Sequence, residues 1–218
     1  LGTEPENLDP AKVTGVIEFD MLIHIFEGLT RLDADMQPQP AIAESWDISD
    51  DSLVYTFHLR DGLVWSNGEP ITSEDFKYSW LRVLNPETAS EYAYQLWYIQ
   101  GAEAYNVSDG SAEDVAIECP DSLTLEVTLA TPTPYFLSLM AFPTYFPVNK
   151  TAVEAAGDSY GSEADTLVSN GPFLLSKWEH RSLLELVPYE NYWNRQNVKL
   201  DRVECYTIEE ESTALAMF

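Results

Sequence analysis

The 218-residue sequence is poor in basic side chains. Eleven Lys and Arg residues face 37 Asp and Glu residues, which gives a formal net charge of −26. Because binding to phosphates needs clustered Lys and Arg, this shortage argues against a nucleic-acid partner. The acidic surface is typical of a soluble exported protein whose copies repel each other. A role in attracting cationic ligands is the less favoured alternative.

Long hydrophobic runs are also missing. No stretch of about 18 apolar residues occurs, so no segment is expected to span a membrane as a helix. The first ten residues, LGTEPENLDP, are polar and lack the apolar core of a signal peptide. The sequence is therefore compatible with a mature or trimmed form of a protein.

Residues that carry covalent or metal chemistry are scarce. Cys119 and Cys205 form no C-x-x-C pair. Unpaired, mostly buried thiols are expected, and a disulfide between them is the alternative. His24, His58 and His180 are the only imidazoles. None lies in a nucleophile motif or in the spacing of a zinc site. We predict no catalytic nucleophile, no metal and no cofactor.

Loops that bind phosphate are absent too, since neither G-x-x-x-x-G-K nor G-x-G-x-x-G occurs. A secreted acidic hydrolase using a pair of carboxylates stays open as an alternative. Acidic residues are so abundant, however, that no single pair is informative. The sequence therefore favours a protein that is not an enzyme.

Local patterns predict short helices mixed irregularly with antiparallel hairpins. The segment 53–80 contains a strand at 54–59, an Asn67-Gly68 turn and a Thr72-x-x-Asp75 capping box that begins a helix. The other predicted elements are a helix with an apolar stripe (Phe19, Leu22, Ile23, Phe26) capped by Gly28, an extended connector at 37–46, a helix at about 89–105 and hairpins at 111–129 and 170–188. The fold class is therefore α/β, of the mixed α+β kind.

The end of the sequence predicts a strand followed by about two turns of a helix, with no cap and no Gly or Pro stop. We expect the chain to be a fragment that ends inside an element.

Taken in order, these stretches resemble the extracytoplasmic solute-binding proteins of ABC importers, the peptide-binding family 5. The resemblance lies in LDPAKVTGV (8–16), FEGLTRLDADMQPQPAIAESW (26–46), YTFHLRDGLVWSNGEPITSEDFKYSWLRVLNPETAS (55–90), TLEVTLATPTPYF (124–136), FPVNKTAVE (146–154) and SNGPFLLSKWEHRSLLELVPYENYW (169–193). The stretches NPETASEYAY and TPTPYF look closest to the oligopeptide-binding branch.

The resemblance implies a periplasmic-binding-protein-like class II lobe with an inserted α+β subdomain. Members of the family have two lobes that close on a ligand. By position, residues 1–27 and 160–218 would form part of the first lobe, and residues 28–159 the inserted subdomain. The second lobe would be incomplete in this chain.

The same resemblance implies the ligand contacts. Thr14, Gly15 and Val16 match the segment whose main-chain groups pair with an extended peptide. Gly15 would let the ligand backbone approach closely. Related proteins often have Glu where Thr14 stands, so a charged contact is not carried over. Tyr92 matches a tyrosine that lines the ligand site.

The implied function is capture of peptides, in particular oligopeptides, for import. The implied partners are the peptide and the permease subunits of the importer. We expect a monomer outside the cytoplasm, at the cell surface or in the periplasm, with any membrane attachment through a lipid anchor upstream of this chain. Binding of another small solute, such as a dipeptide, a nickel chelate or an oligosaccharide, is the alternative.

Overall fold

The computed structural model describes residues 1–208 and 210–217. In these ranges the helices are α1 (Val16–Ile25), α2 (Ser73–Leu84), α3 (Ala102–Val107), α4 (Phe136–Leu139), α5 (Lys150–Ala156) and α6 (Glu211–Met217). The strands are β1 (Thr30–Leu32), β2 (Pro38–Pro40), β3 (Ala43–Ile48), β4 (Val54–Leu59), β5 (Ile117–Asp121), β6 (Thr124–Thr128), β7 (Phe173–Glu179), β8 (Leu183–Pro188) and β9 (Val203–Tyr206).

The described strands form three antiparallel sheets. Strands β1 and β2 form a small ribbon, and β3, β4, β6 and β5 form a four-stranded sheet in that order. Strands β7, β8 and β9 form a three-stranded sheet. The predicted mixed α/β class and both predicted hairpins are confirmed.

The segment 53–80 folds as the sequence predicts. Gly68 has a positive φ of 88° in the tight turn that precedes α2. The Asp75 carboxylate accepts hydrogen bonds from the amide and the hydroxyl of Thr72, at 2.7 and 3.1 Å, and so completes the capping box. Burial is the largest influence on the pKa of the Asp75 carboxyl and raises it above its ordinary value.

Helix α2 packs its apolar face against β5 and β6. Trp80 is fully buried at the centre of this face, and its indole nitrogen donates to the Tyr145 carbonyl at 2.8 Å. The Trp80 and Tyr145 rings meet edge to face with centroids 5.4 Å apart. A buried indole needs such a partner, so the two residues tie α2 to the segment that follows α4.

Two predicted elements were wrong. The segment 37–46 is not a connector, because it contains β2 and most of β3. Its prolines lie in the short ribbon, where β2 pairs only with β1.

The segment 89–105 is not one helix. It holds a 3₁₀ turn at Ala93–Leu96, and Gly101 (φ 82°) separates this turn from α3. Between them Ile99 forms an antiparallel bridge with Leu129, which fixes non-helical backbone.

The prediction for α1 was only partly right. Its buried residues are Glu18, Met21, Leu22 and Ile25, whereas Ile23 is 50% exposed. Gly28 is not the helix cap, since α1 is capped at Phe26 with extended backbone. Glycine is needed at 28 for a different reason, because a Cβ there would lie 2.1 Å from the Met140 carbonyl oxygen.

The remaining features concern the cysteines and the last residues. Cys119 and Cys205 are free, and both are half-buried where mostly buried thiols were expected; burial raises the pKa of both thiols. Among the helices of residues 1–208 and 210–217, none has the length and apolar character needed to cross a bilayer. The predicted final helix is α6, and the predictions for Glu209 and Phe218 lie outside the described residues.

Candidate functional site

The segment LDP near the amino terminus is anchored by Asp9, whose side chain is fully buried. Asp9 accepts a hydrogen bond from the Ala11 amide at 3.0 Å, and the Leu8 amide donates to the Gly161 carbonyl at 2.7 Å. Arg82 of α2 donates hydrogen bonds to both oxygens of the Asp9 carboxylate, at 2.8 and 2.5 Å. This bidentate pair fixes the amino-terminal segment to α2 and gives the residues that follow a rigid base.

Thr14, Gly15 and Val16 follow this anchor. Gly15 has extended backbone (φ −85°, ψ 153°) and is the N-cap of α1, so Val16 is the first helical residue. Thr14 is exposed, and Val16 is 74% exposed. In the described part of the chain, the amides of these three residues donate to no acceptor. The first amides of a helix have no partner within it, which accounts for the unpaired amides of Gly15 and Val16.

Glu18 gives an intramolecular reason for glycine at position 15. A Cβ on Gly15 would lie 1.9 Å from Oε2 of Glu18. The Glu18 side chain is nearly buried, and its other oxygen accepts the Glu6 amide at 2.9 Å. A carboxylate is favourable in the first turn of a helix, where the helix dipole is positive. Glycine therefore makes room for this carboxylate, in addition to any room it leaves for a ligand.

Tyr92 lies half-buried in an aromatic cluster. Its ring centroid is 5.6 Å from that of Phe19, 5.7 Å from Phe142 and 5.9 Å from Tyr94. The Phe19 and Phe142 rings are 5.1 Å apart. The Phe19 amide also donates to the Gly15 carbonyl at 3.1 Å. The first turn of α1 therefore links Tyr92 to the segment 14–16.

Sequence reasoning missed Glu18, Phe142 and Tyr94 as parts of this region. It placed Phe19 in one apolar stripe with Leu22, Ile23 and Phe26, but Phe19 is half-buried and packs on Tyr92. One signal was available, since Val16, Phe19 and Ile23 are all apolar and recur at i, i+3 and i+7 on α1. An apolar row on the side opposite the buried face indicates a second contact surface.

A groove of about 430 Å³ opens beside Gly15. Its lining includes Glu4, Glu6 and Glu18 together with one cation, Lys12. Carboxylates therefore outnumber cations in this groove, as they do in the chain as a whole. The groove favours positively charged or hydrogen-bond-donating ligand groups over anions.

One wall of the groove is held by Glu4. Its carboxylate accepts hydrogen bonds from the Trp178 indole at 2.7 Å, the His180 ring at 2.6 Å and the Arg181 amide at 3.0 Å. The second His180 nitrogen faces Glu163 at 3.3 Å. Burial acts to raise the pKa of Glu4, but the bonds from Trp178 and His180 outweigh it and lower the pKa. The bonds to Glu4 and Glu163 raise the pKa of His180.

The other histidines lie apart from this region. His24 contacts the Asp20 carbonyl one helical turn away, and His58 pairs with Asp47 at 2.8 Å. Within residues 1–208 and 210–217, no group of three or more His, Cys, Asp or Glu side chains is arranged to hold a metal ion. The chemistry that this region supports is hydrogen bonding and apolar contact.

Known proteins with this sequence pattern are solute-binding proteins. The family described as bacterial extracellular solute-binding proteins, family 5 Middle, matches residues 37–218. The oligopeptide-binding protein OppA of Bacillus subtilis is 41% identical over 216 residues, covering 99% of this chain and 40% of that protein. The dipeptide-binding protein DppE of the same organism is 40% identical over 215 residues, covering 99% of this chain and 39% of that protein.

Solved structures agree with the sequence comparison. Listeria monocytogenes OppA bound to peptide superimposes with a TM-score of 0.96 at 35% identity, covering 99% of this chain and 43% of that one. The substrate-binding domain of an oligopeptide ABC transporter from Bacillus anthracis gives 0.95 at 41% identity, covering 99% and 42%. The chain therefore spans about 40% of the length of the relatives it matches.

Proposed function

Because this chain belongs to the bacterial extracellular solute-binding proteins of family 5, we propose that it forms part of the peptide-capturing component of an ABC importer. The chain supplies one wall of a ligand cleft, and a region corresponding to the remaining length of its relatives supplies the other. The mechanism is capture between two walls, closure and delivery to the permease. No chemical step on the ligand is required.

The observation that carries this proposal is the unpaired backbone at Thr14, Gly15 and Val16. Their amides have no acceptor in the described part of the chain, yet Asp9 and Arg82 hold the preceding residues rigidly. A rigid segment with free backbone donors is suited to pairing with the main chain of an extended peptide. The ligand then gains hydrogen bonds without the cost of ordering the protein.

Backbone pairing also explains how varied sequences would be accepted. Hydrogen bonds to a peptide main chain do not depend on its side chains, which leaves side-chain choice to neighbouring pockets. Tyr92, with Tyr94 beside it, offers one apolar wall, and Tyr94 is 49% exposed. The acidic groove beside Gly15 offers a polar surface. We assign peptide contact to Thr14, Gly15, Val16 and Tyr92.

We divide the chain into a first lobe, residues 1–27 and 160–218, and an inserted subdomain, residues 28–159. The four-stranded sheet and α2 lie wholly within the inserted part, which supports this division. The three-stranded sheet lies wholly within the second stretch of the lobe.

Hydrogen bonds between the two distant stretches of the lobe give further support. The amino group of Leu1 donates to the Tyr206 carbonyl at 2.8 Å, and the Ile208 amide donates to the Leu1 carbonyl at 2.9 Å. The Gly171 amide donates to the Ile25 carbonyl at 2.9 Å. The first residues of the chain and α1 are thus joined to the last third of the chain.

The names of two relatives support the proposed partners and location. Both are periplasmic oligopeptide-binding proteins. We propose the permease subunits of the importer as the protein partners, a location at the cell surface or in the periplasm, and a lipid anchor upstream of this chain. A net charge of −26 opposes self-association, which supports a monomer.

Calorimetry with mixed tri- to pentapeptides tests the proposal. A longer protein is needed, one that contains this chain and the region matching its relatives' remaining length. This longer protein should bind peptides. The 218-residue chain alone should bind them weakly, because one wall of the cleft is missing. Tight binding by the shorter chain would contradict the two-wall account. Mass spectrometry of the ligand that co-purifies with the longer protein gives a second readout, and a sugar or a metal chelate in place of peptide would overturn the peptide assignment.

A further inference from the structure

Two tyrosines meet at the surface of the stretch 28–159. The Tyr135 hydroxyl donates to the Tyr98 hydroxyl at 3.1 Å. Their ring centroids are 5.6 Å apart, and the ring planes are nearly perpendicular, at 89°. Tyr135 is 51% exposed, and Tyr98 is half-buried. Because water can replace a hydroxyl as the partner at the surface, this hydrogen bond contributes little to stability.

Backbone hydrogen bonds hold both tyrosines in place. The Tyr98 carbonyl accepts the Ala130 amide at 2.8 Å, which attaches this part of the chain to the segment that follows β6. Tyr135 directly precedes α4, and its carbonyl accepts the Ser138 amide at 3.0 Å. The next residue, Phe136, is fully buried and fixes the start of α4. The two rings are 37 positions apart in sequence, so tertiary structure sets their contact.

Two phenol rings in contact are joined by one-electron oxidation of each ring. Each ring loses one electron and the proton of its hydroxyl, and the unpaired electron spreads to the ring carbons beside the C–O carbon. One such carbon from each ring then forms a C–C bond. The hydrogen on each of these carbons moves, through water, to the phenolic oxygen of the same ring. The product, dityrosine, has two hydrogen atoms fewer than the two tyrosines.

The geometry of the pair suits this reaction. The carbons that bond lie beside the C–O carbons, and the contact between the hydroxyls brings these ends of the two rings together. Because Tyr135 is exposed, its side chain can rotate on the picosecond to nanosecond timescale and turn a ring carbon towards that of Tyr98. The same exposure lets an oxidant reach the ring.

The sulfur side chains do not compete with this cross-link. Cys119 and Cys205 are free and half-buried, and burial raises the pKa of both thiols. Because the thiolate is the form that oxidants attack, a raised pKa slows oxidation of these cysteines. Met36 is 66% exposed, but an oxidised methionine takes up an oxygen atom and forms no cross-link.

Other tyrosines lack this combination of exposure and contact. Among the described residues, the large exposed side chains include three tyrosines, Tyr94, Tyr135 and Tyr206. The Tyr94 ring lies 5.9 Å from that of Tyr92, without a hydrogen bond between their hydroxyls. The Tyr206 hydroxyl donates to a carboxylate at 3.1 Å. In residues 1–208 and 210–217, two tyrosine hydroxyls are hydrogen-bonded to each other only at Tyr98 and Tyr135.

We propose that Tyr98 and Tyr135 form an oxidative cross-linking site, where a peroxidase that uses hydrogen peroxide joins the two rings as dityrosine. The peroxide accepts the two electrons and two protons and becomes two water molecules. The net charge of −26 keeps copies of the chain apart, so the bond forms within one molecule. The cross-link closes a long loop in a chain whose cysteines are free, and like a disulfide it restricts the unfolded state.

Peptide mapping of the longer protein that contains this chain tests the site. The protein is treated with a peroxidase and hydrogen peroxide, and a glutamate-specific protease then cuts at Glu103 and Glu126, between the two tyrosines. Tandem mass spectrometry should identify Tyr98 and Tyr135 in one cross-linked species that has lost two hydrogen atoms. Hydrogen peroxide without the peroxidase should oxidise Met36 and give no cross-link.

Phenylalanine variants remove one hydroxyl and keep the ring. Tyr98→Phe and Tyr135→Phe should each abolish the cross-linked species. Tyr206→Phe is the matched control, because it removes the hydroxyl of another exposed tyrosine and should leave the yield unchanged.

Three results would overturn the site. They are the absence of dityrosine from the treated monomer, dityrosine that joins only other tyrosines or two copies of the protein, and an undiminished yield in Tyr135→Phe. The mapping of the wild type needs no variant, so it decides the question even where a substitution changes folding. Peptide binding plays no part in this assay, so failure of the site and failure of peptide capture are distinguishable.

Discussion

Replacing Asp9 by asparagine removes the carboxylate that forms a buried ion pair with Arg82. Asp9 is fully buried, and the Arg82 side chain is only 14% exposed. The asparagine would keep the shape of the side chain and an oxygen for the Ala11 amide. The guanidinium would lose its counter-charge and one of two charge-assisted hydrogen bonds. The perturbation is therefore electrostatic and not a loss of packing.

The expected cost follows from this burial. Removing one partner of a buried ion pair leaves an uncompensated charge and destabilises a protein by about 3–5 kcal/mol. We expect Asp9→Asn to cost about 3 kcal/mol, at the lower end, because the Tyr160 ring lies 5.8 Å from the guanidinium and still offers it a cation–π contact. Combining Asp9→Asn with Arg82→Met should cost less than the sum of the single substitutions, since the stranded charge is gone.

Urea unfolding followed by tryptophan fluorescence measures this cost. With a slope of about 1–3 kcal/mol per molar urea, the Asp9→Asn midpoint should fall by roughly 1–3 M. Arg202→Met serves as the control, because the Arg202 side chain is 57% exposed and its pairs with Glu185 and Glu204 should contribute less than about 1 kcal/mol. An Asp9→Asn midpoint close to that of the control would refute the role given to the buried pair.

Two further predictions concern local interactions. His180 bridges Glu4 and Glu163, and its folded pKa is raised above 6.5. The stabilisation by protonated His180 is thus complete below that pH and is lost as pH rises through the folded pKa. The difference in urea midpoint between the wild type and His180→Gln should therefore shrink from about pH 6 to about pH 9. A difference that grows over this range would contradict the bridge. Thr72→Val should cost about 1 kcal/mol of unfolding free energy through loss of the cap on α2, and Thr72→Ser should restore most of it.

Elements governed by local chemistry could be predicted from the sequence. The Asn67-Gly68 turn and the Thr72–Asp75 box depend on residues within a few positions of each other, and both are present. The two hairpins follow from alternation of apolar and polar residues, which requires only a short stretch. These features would form in the same way in many folds.

Elements governed by distant contacts could not be predicted. The break in the segment 89–105 depends on Ile99 pairing with Leu129, and no local pattern encodes that partner. The buried side of α1 is equally non-local, since an apolar helix with both Leu22 and Ile23 does not tell which of them faces the core. Gly28 is required by the carbonyl of Met140, which is far away in the sequence.

The candidate site shows the same division. Thr14, Gly15, Val16 and Tyr92 were predicted through family resemblance, and the contacts that join the segment 14–16 to Tyr92 run through Phe19. The contacts that hold these residues in place were not predictable from the sequence. The ion pair of Arg82 with Asp9 and the packing of Phe142 on Phe19 join residues that are distant in sequence.

Proline at position 16 tests whether the free backbone at 14–16 pairs with a peptide. Val16 is the first residue of α1, a position that tolerates proline, and Gly15 has the extended conformation that proline prefers before it. Val16→Pro therefore deletes one N–H group with little change to the fold, whereas Val16→Ala removes only the side chain.

Calorimetry of the longer protein with one peptide compares the two variants. We expect Val16→Pro to weaken binding by roughly tenfold, the loss that follows from removing one hydrogen bond of about 1–1.5 kcal/mol. Val16→Ala should bind nearly as well as the wild type. Equal affinities of Val16→Pro and the wild type would contradict the claim that this backbone holds the ligand.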